Sequence, residues 1–354
     1  MSSDRPDSVV AAAPAARGAY ATIHDVARVA GVSVASVSRV FNGRDHVRAE
    51  MRVRVEEAAA QLGYVPHAGA RSLSMSRTGA IGVVLPDLHG EFYSELLRGM
   101  DREASQRGLG LLLTVLHAGR GVDTLAALRG QVDGLVVMAP ELDPDVLARH
   151  MPRGPAAVFL ACAPQDGSLN LRIDNHGGAA AAVAHLAAGG ARRIVHISGP
   201  ASNFDAQQRR AGAEAAAAAA GVALNVIEGD FHEASGTMVG ERVATGSLEA
   251  DAIFAANDMM AIGALMALKR RGIAVPEQVA VAGFDDIPLA RLVSPALTSV
   301  AIDIAAMGAR AVTHLADQIA AMRERPLEGR VTTADEVIVP HLMVRETTRE
   351  TDRG

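Results

Sequence analysis

The chain has 354 residues, 49% of them hydrophobic, which is long for one ordinary domain and enough to build two or three cores. Aromatics make up 3% and Trp is absent, so those cores are aliphatic and alanine-rich. A net charge of −6 excludes a chain that is basic throughout; a single cysteine, Cys162, excludes an intramolecular disulfide or a cysteine-based metal cluster; and no apolar run approaches the roughly 20 residues that span a bilayer.

Residues 1–20 carry Asp4 and Asp7 where a secretory signal wants basic residues, and read as a disordered leader on a cytoplasmic protein. From Thr22 to Gly79 eight arginines stand against five acids, a net +3, while everything from Ala80 onward carries −9. A basic head on an acidic body suits a DNA-contacting module joined to a sensor.

Thr22, with Asp25 three residues on, forms a capping box ahead of Ile23, Val26, Ala27 and Ala30, and Gly31 ends that helix. Ser33 can cap a second helix, SVASVSRVFN, whose Val34, Val37, Val40 and Phe41 follow helical spacing. A third helix runs from about Ala49 to Leu62, with Val53, Ala60 and Leu62 completing a small core and Gly63 as C-cap. Two short helices joined by Gly-Val-Ser form a helix-turn-helix, its second helix available to the major groove. A three-helix bundle with no nucleic-acid role is the competing reading. The polar face weighs against it, since Ser33, Ser36, Ser38, Arg39, Asn42 and His46 can reach phosphates and base edges.

ATIHDVARVAGVSVASVSRVFNG, followed by VRAEMRVRVEEAAAQLGYVPHAGARSL, closely resembles the DNA-binding head of the lactose-repressor (LacI/GalR) family. The resemblance implies that Val34, Ala35 and Arg39 meet base edges, Arg39 pairing with a guanine. It places Ser33, Ser36, Ser38, Asn42 and His46 on the backbone, with Thr22 and His24 at the start of the first helix. For each serine, capping of the local backbone competes with that role. It further implies a hinge helix after Pro66, with Leu73 wedging into the minor groove and Ala70 assisting. Seven or eight residues hold no helix in water unaided, so the hinge would fold only on DNA and beside a second copy. His67 and Gly69 depart from the family pattern.

From Ala80 onward strand-like runs alternate with helical stretches. The strands start at Ala80, Leu109, Gly134, Ala156, Arg193, Ala252 and Val279; the helices include Phe92–Arg107, Gly177–Ala188, Ala206–Ala220, Ala234–Ala244 and Asp258–Arg271. Continuous hydrophobic strands imply parallel sheets covered on both faces, which bind ligands at the carboxyl ends of their strands. The loops there carry Asp87, Asp174-Asn175, Asn257-Asp258 and Asp285-Asp286. Any single Asp could be a helix N-cap, Asp258 among them; several converging suit a polyhydroxy ligand better.

IDNHGGAAAAVAHLAAGGARRIVHISGP, GDFHEASG, IFAANDMMAIGALMALKRRGIAVPEQVAVAGFDD and SPALTSV also resemble that family, whose sensor is built like a type I periplasmic sugar-binding protein. The resemblance implies an N-terminal helix-turn-helix domain (21–66), a hinge and linker (67–79), and a two-lobed α/β effector-binding and dimerisation domain (80–354) with two doubly wound parallel sheets. It places Phe92 and Tyr93 from the first lobe, and Arg209, Phe231, Asn257, Asp258 and Asp285 from the second, in an effector pocket. Arg209 and Asp258 are the main anchors. Phe231 stacks on a sugar face or a planar base, with a core role as its alternative. Asn203, where purine-sensing relatives carry Arg, favours a sugar. The stretch between Leu116 and Asp133 is shorter than the family's, so the first lobe looks trimmed.

The resemblance therefore implies a dimeric regulator, with a tetramer open, acting at the nucleoid on a palindromic double-stranded operator. It implies repression of carbohydrate-utilisation genes and release by a sugar or sugar phosphate, the alternative being a corepressor such as a purine. No Gly-x-Gly-x-x-Gly turn, nucleophile elbow or metal-ligand spacing among the twelve His calls for an enzyme, a cofactor or a metal, and the head disfavours a free sugar-binding protein.

Overall fold

The structure, a computed structural model, describes residues 21–41, 47–65, 77–116, 125–151, 155–324 and 335–349. The leader, the hinge segment with Ala70 and Leu73, and residues 117–124 of the trimmed stretch lie outside these. The chain divides into two compact units, Met1–Thr78 and Gly79–Gly354.

In the first unit, α1 (Ile23–Ala30), α2 (Val34–Phe41) and α3 (Ala49–Leu62) surround Val26, Val37 and Val55, each 0% exposed. Thr22 Oγ1 accepts from the Asp25 amide and Asp25 Oδ2 accepts from the Thr22 amide, the reciprocal bonds of a capping box. Gly31 and Gly63 close α1 and α3 in the left-handed region. The core face of α3 differs from the one expected: Val55, Ala58 and Ala59 are buried, while Val53 is 50% exposed and Ala60 is exposed too. Several small apolar residues in a row leave the phase of a helix open, and packing against α1 selects among them.

The second unit carries two six-stranded sheets. The first has the order β11-β5-β4-β3-β1-β2, with β1 (Ala80–Leu85), β2 (Gly110–Val115), β3 (Gly134–Val137), β4 (Ala156–Leu160), β5 (Leu169–Ile173) and β11 (Asp335–Ile338), all parallel. The second, β12-β10-β9-β8-β6-β7, comprises β6 (Arg193–Ser198), β7 (Ala223–Glu228), β8 (Ala252–Ala255), β9 (Ala280–Asp285), β10 (Thr298–Ala301) and β12 (His341–Met343). Only β12 runs antiparallel, on β10 at the edge. Each lobe thus borrows a late strand, so the chain passes between lobes three times. Central β3, β8, β9 and β10 are buried at every residue; β3 and β8 are unbroken apolar runs, whereas β9 ends in Asp285 and β10 opens on Thr298 and Ser299. β2, equally apolar in sequence, is an edge strand with Leu113 39% exposed.

Helices α4 (Glu91–Gln106), α5 (Pro144–His150), α6 (Asn175–Ala188), α7 (Phe204–Ala220), α8 (Glu233–Ala244), α9 (Asp258–Arg270) and α10 (Ile304–Glu324) cover the sheets. Glycines let some of them touch backbone to backbone. A Cβ on Gly236 of α8 would lie 1.8 Å from the Met260 carbonyl oxygen of α9, which no side-chain adjustment relieves. Gly236→Ala should therefore destabilise at or above the top of the usual overpacking range of ~1–3 kcal/mol. A chemical-denaturation midpoint reads this directly, and an unchanged midpoint would show that the α8–α9 contact is looser than drawn. Among the described residues no helix is long and apolar enough to cross a membrane.

Candidate functional site

In the first unit, Val37 and Val40 hold α2 to the core and so turn its opposite face outward. Ser33, Ala35 and Arg39 are exposed there, with Val34, Ser36 and Ser38 half-buried. Ser33 is already engaged locally: its Oγ accepts from the Ser36 amide at 3.1 Å and meets Ser36 Oγ at 2.9 Å. Thr22 is committed to its capping box, and His24 is exposed in the first turn of α1. The face presents one guanidinium, on Arg39, among small residues that allow close approach to a groove. Asn42, His46, Ala70 and Leu73 lie outside the described residues.

In the second unit a cavity of about 280 Å³ opens where the carboxyl ends of both sets of parallel strands face each other. The first lobe contributes Asp87 and His89 from the loop after β1, Phe92 and Tyr93 from the first turn of α4, and Glu141 beyond β3. The second contributes Asn203, Asp205 and Arg209 from α7 and its cap, Asp230 to His232 after β7, Asn257 after β8, and Asp285 at the end of β9. Two connections are backbone-strained: Phe231 has φ 68 and Asp285 φ 103, conformations that cost non-glycine residues on the order of 1–3 kcal/mol each. Gly199 makes room for the Phe231 ring, since a Cβ there would lie 2.2 Å from it.

Arg209 is the fixed centre of the floor, 4% exposed. Its Nε donates to Asn175 Oδ1 at 2.7 Å, a terminal nitrogen donates to the Ala256 carbonyl, and the guanidinium lies 3.8 Å over the Phe284 ring. Its Nη1 stands 3.2 Å from Asp285 Oδ1, an ion-pair contact; that oxygen accepts no aligned hydrogen bond among the described residues. Burial pushes the Asp285 carboxyl up to about 6, with Arg209 opposing and Asp205 adding to the rise. Burial likewise raises Asp205 and the Tyr93 hydroxyl. The cleft therefore holds one buried cation and an excess of acids. It can bind a neutral molecule bearing hydroxyl donors, and it opposes an anion.

Seven of the eight residues expected in the pocket line this cavity: Asp87, Phe92, Tyr93, Arg209, Phe231, Asn257 and Asp285. Asp258 does not. It is 0% exposed and turned beneath β9, where Oδ1 accepts from Ser299 Oγ and Oδ2 accepts from the Ile287 amide at 2.9 Å. Gly283 allows that approach, because a Cβ there would lie 2.2 Å from Asp258 Oδ1. Asp258 thus secures the turn after Asp285 and is no anchor for a ligand. Asn257 is partly structural as well, capping α9 at Met260 and donating to the Phe231 carbonyl at 2.9 Å. Asp205, Asp230, Glu141, His89 and His232 went unnoticed in the sequence. Asp205 lies one turn before Arg209 on α7, and that spacing was the available signal.

Comparison with known proteins agrees with this geometry. Residues 22–67 match the model for bacterial regulatory proteins of the lacI family, and residues 183–348 match a periplasmic binding protein-like domain. The ribose operon repressor of Escherichia coli K12 is 36% identical over 294 residues, covering 79% of this chain and 87% of that protein. The lac repressor dimer bound to operator and an anti-inducer superposes with a TM-score of 0.80 at 28% identity, covering 92% of this chain and 98% of that one. A complex of the transcriptional regulator CelR with cellobiose gives 0.67 at 32% identity, covering 92% and 99%. The chain belongs to the lacI family of bacterial regulatory proteins: it is a DNA-binding transcription regulator with a helix-turn-helix head and a ligand-binding body, and not an enzyme.

Proposed function

We propose that the protein is a dimeric cytoplasmic repressor of sugar-utilisation genes. It holds a palindromic operator through Arg39, Val34 and Ala35, and releases it when a small neutral sugar fills the cleft. One observation carries the choice of ligand: a buried, fully braced Arg209, paired with Asp285, is the cation of a cleft whose lining holds four further acids, Asp87, Glu141, Asp205 and Asp230. An arginine donating to ring or hydroxyl oxygens beside a carboxylate accepting from hydroxyls is how a polyol is fixed without charge. Asp87, Glu141, Asp205, Asp230 and Asp285 outnumber Arg209, so a sugar phosphate is disfavoured. The ribose and cellobiose named for relatives point to the same class. Dimerisation is supported by the lac repressor dimer and by the apolar edge of β2. A thermal-shift and calorimetric screen of pentoses, hexoses, disaccharides and their phosphates tests the reading. A neutral sugar should bind and its phosphate should not; preference for the phosphate would overturn it.

The Asp285 carboxyl gives a pH prediction whose sign is fixed. Its folded pKa, about 6, lies above the unfolded value of ~3.9, so the folded ligand-free state holds the proton more tightly. Its contribution to stability is therefore lost as pH rises from about 4 to 6. A hydroxyl donor prefers the ionised carboxylate and acts in the opposite direction. Sugar affinity should accordingly weaken as pH falls below about 6, approaching tenfold per pH unit. Asp285→Asn should bind more weakly at pH 7 and lose that pH dependence. Titrations at pH 5, 6 and 7 check both statements.

A further inference from the structure

At the mouth of the cleft three side chains that sugar binding does not employ come together: His89, His232 and Glu233. They belong to different lobes. His89 sits in the loop between β1 and α4, whereas His232 and Glu233 open α8 in the second lobe. The imidazole centroids of His89 and His232 are 4.1 Å apart, and His89 Nε2 is 3.1 Å from Glu233 Oε2. One ligating atom from each of the three lies within 4.8 Å of the others. His232 precedes α8 without capping it through its side chain, so the ring is not committed to the helix. Its backbone, however, is braced, because Asp230 accepts from the His232 amide at 3.0 Å and from the Ser235 hydroxyl at 2.6 Å.

Two imidazoles and a carboxylate suit a divalent transition metal of borderline softness, not Mg²⁺ or Ca²⁺, which take oxygen ligands in larger number. Tetrahedral bonds of ~2.0–2.2 Å place ligand atoms roughly 3.3–3.5 Å apart. His89 and Glu233 are 41% and 53% exposed, so small rotations of exposed side chains bring the three donors to that spacing. We infer that His89, His232 and Glu233 form a zinc-type metal site that ties the two lobes together across the cleft mouth. Three protein ligands leave a fourth position for water or for an oxygen of the cleft's occupant, since both histidines also line the cavity. The site stands on these residues alone and does not depend on which molecule fills the cleft. A simple His89–Glu233 ion pair is the competing reading; it binds no metal and gives His232 no part.

The test uses the full-length, tag-free chain, stripped with chelator and free of sugar, titrated with Zn²⁺ by calorimetry and followed by thermal melting. The expected result is one zinc per chain with a raised Tm, and no rise with Mg²⁺ at the same concentration. His89→Gln and His232→Gln should each weaken zinc binding tenfold or more, since loss of even an outer partner of a metal ligand typically costs 10–100-fold. Each variant is melted first without metal. Should one of them unfold early, Glu233→Gln replaces it with the same expected loss. Absence of zinc binding, binding kept by all three variants, or an equal response to Mg²⁺ would overturn the site. Loss in His232→Gln with full retention in His89→Gln would overturn the bridge, because such a site would lie within one lobe.

Discussion

Arg209→Ala is expected to abolish the response to the cleft ligand and to destabilise the protein by about 3–5 kcal/mol, the range for removing one partner of a buried ion pair. The size follows from what remains. Asp285 and Asp205 would both stay buried, the former having lost its charge partner and both the nearby guanidinium that opposes their protonation. Asn175 Oδ1 and the Ala256 carbonyl would lose donors, and the Phe284 ring its stacked cation. Because the alanine variant risks poor folding, Arg209→Lys separates stability from binding. It keeps the charge but not the planar fork, so it should lose less stability than the alanine variant while losing about 100-fold in ligand affinity, ~2.7 kcal/mol. Calorimetry and melting on the same samples read both. Near-normal ligand affinity in the lysine variant would remove Arg209 from the binding site.

Arg39→Ala carries the second large effect, on the other unit. Arg39 is exposed on α2, while the valines beside it hold the helix in place, so truncation leaves the core intact. Operator affinity should fall by about 1–3 kcal/mol per half-site, with preference relaxed at one base pair in each half. Binding selections on randomised half-sites would show this. A uniform loss across all sequences, with preference retained, would instead make Arg39 a phosphate contact.

How much of this was legible in sequence differs by element. Both helix caps of α1, the turn at Gly31 and the α6 to α9 helices were readable because capping residues and glycines act locally. Strands β7, β10, β11 and β12 escaped. β7 is a half-exposed edge, β10 is a four-residue strand opening on Thr298 and Ser299, and β11 and β12, reached only after α10, pair with strands far back in the chain, β5 and β10. The face of α3 was misjudged because neighbouring alanines and valines satisfy more than one helical phase. Asp258 shows the limit most clearly. Its position after a strand and before a helix is that of a ligand-binding residue, yet only the close approach of Gly283 and the hydroxyl of Ser299 decide that it turns inward. The His89, His232 and Glu233 cluster was invisible for a related reason. Twelve histidines show no ligand spacing along the chain, and it is the facing of two sheets that brings two of them together.

The most direct measurement is the affinity of the full-length protein for the DNA upstream of its own gene, with and without the sugar that stabilises it most in the ligand screen. The account predicts that the sugar weakens operator binding by roughly 5- to 150-fold, a coupling of about 1–3 kcal/mol, and that operator weakens sugar binding by the same factor. Operator binding that the sugar leaves unchanged, or tightens, would contradict it.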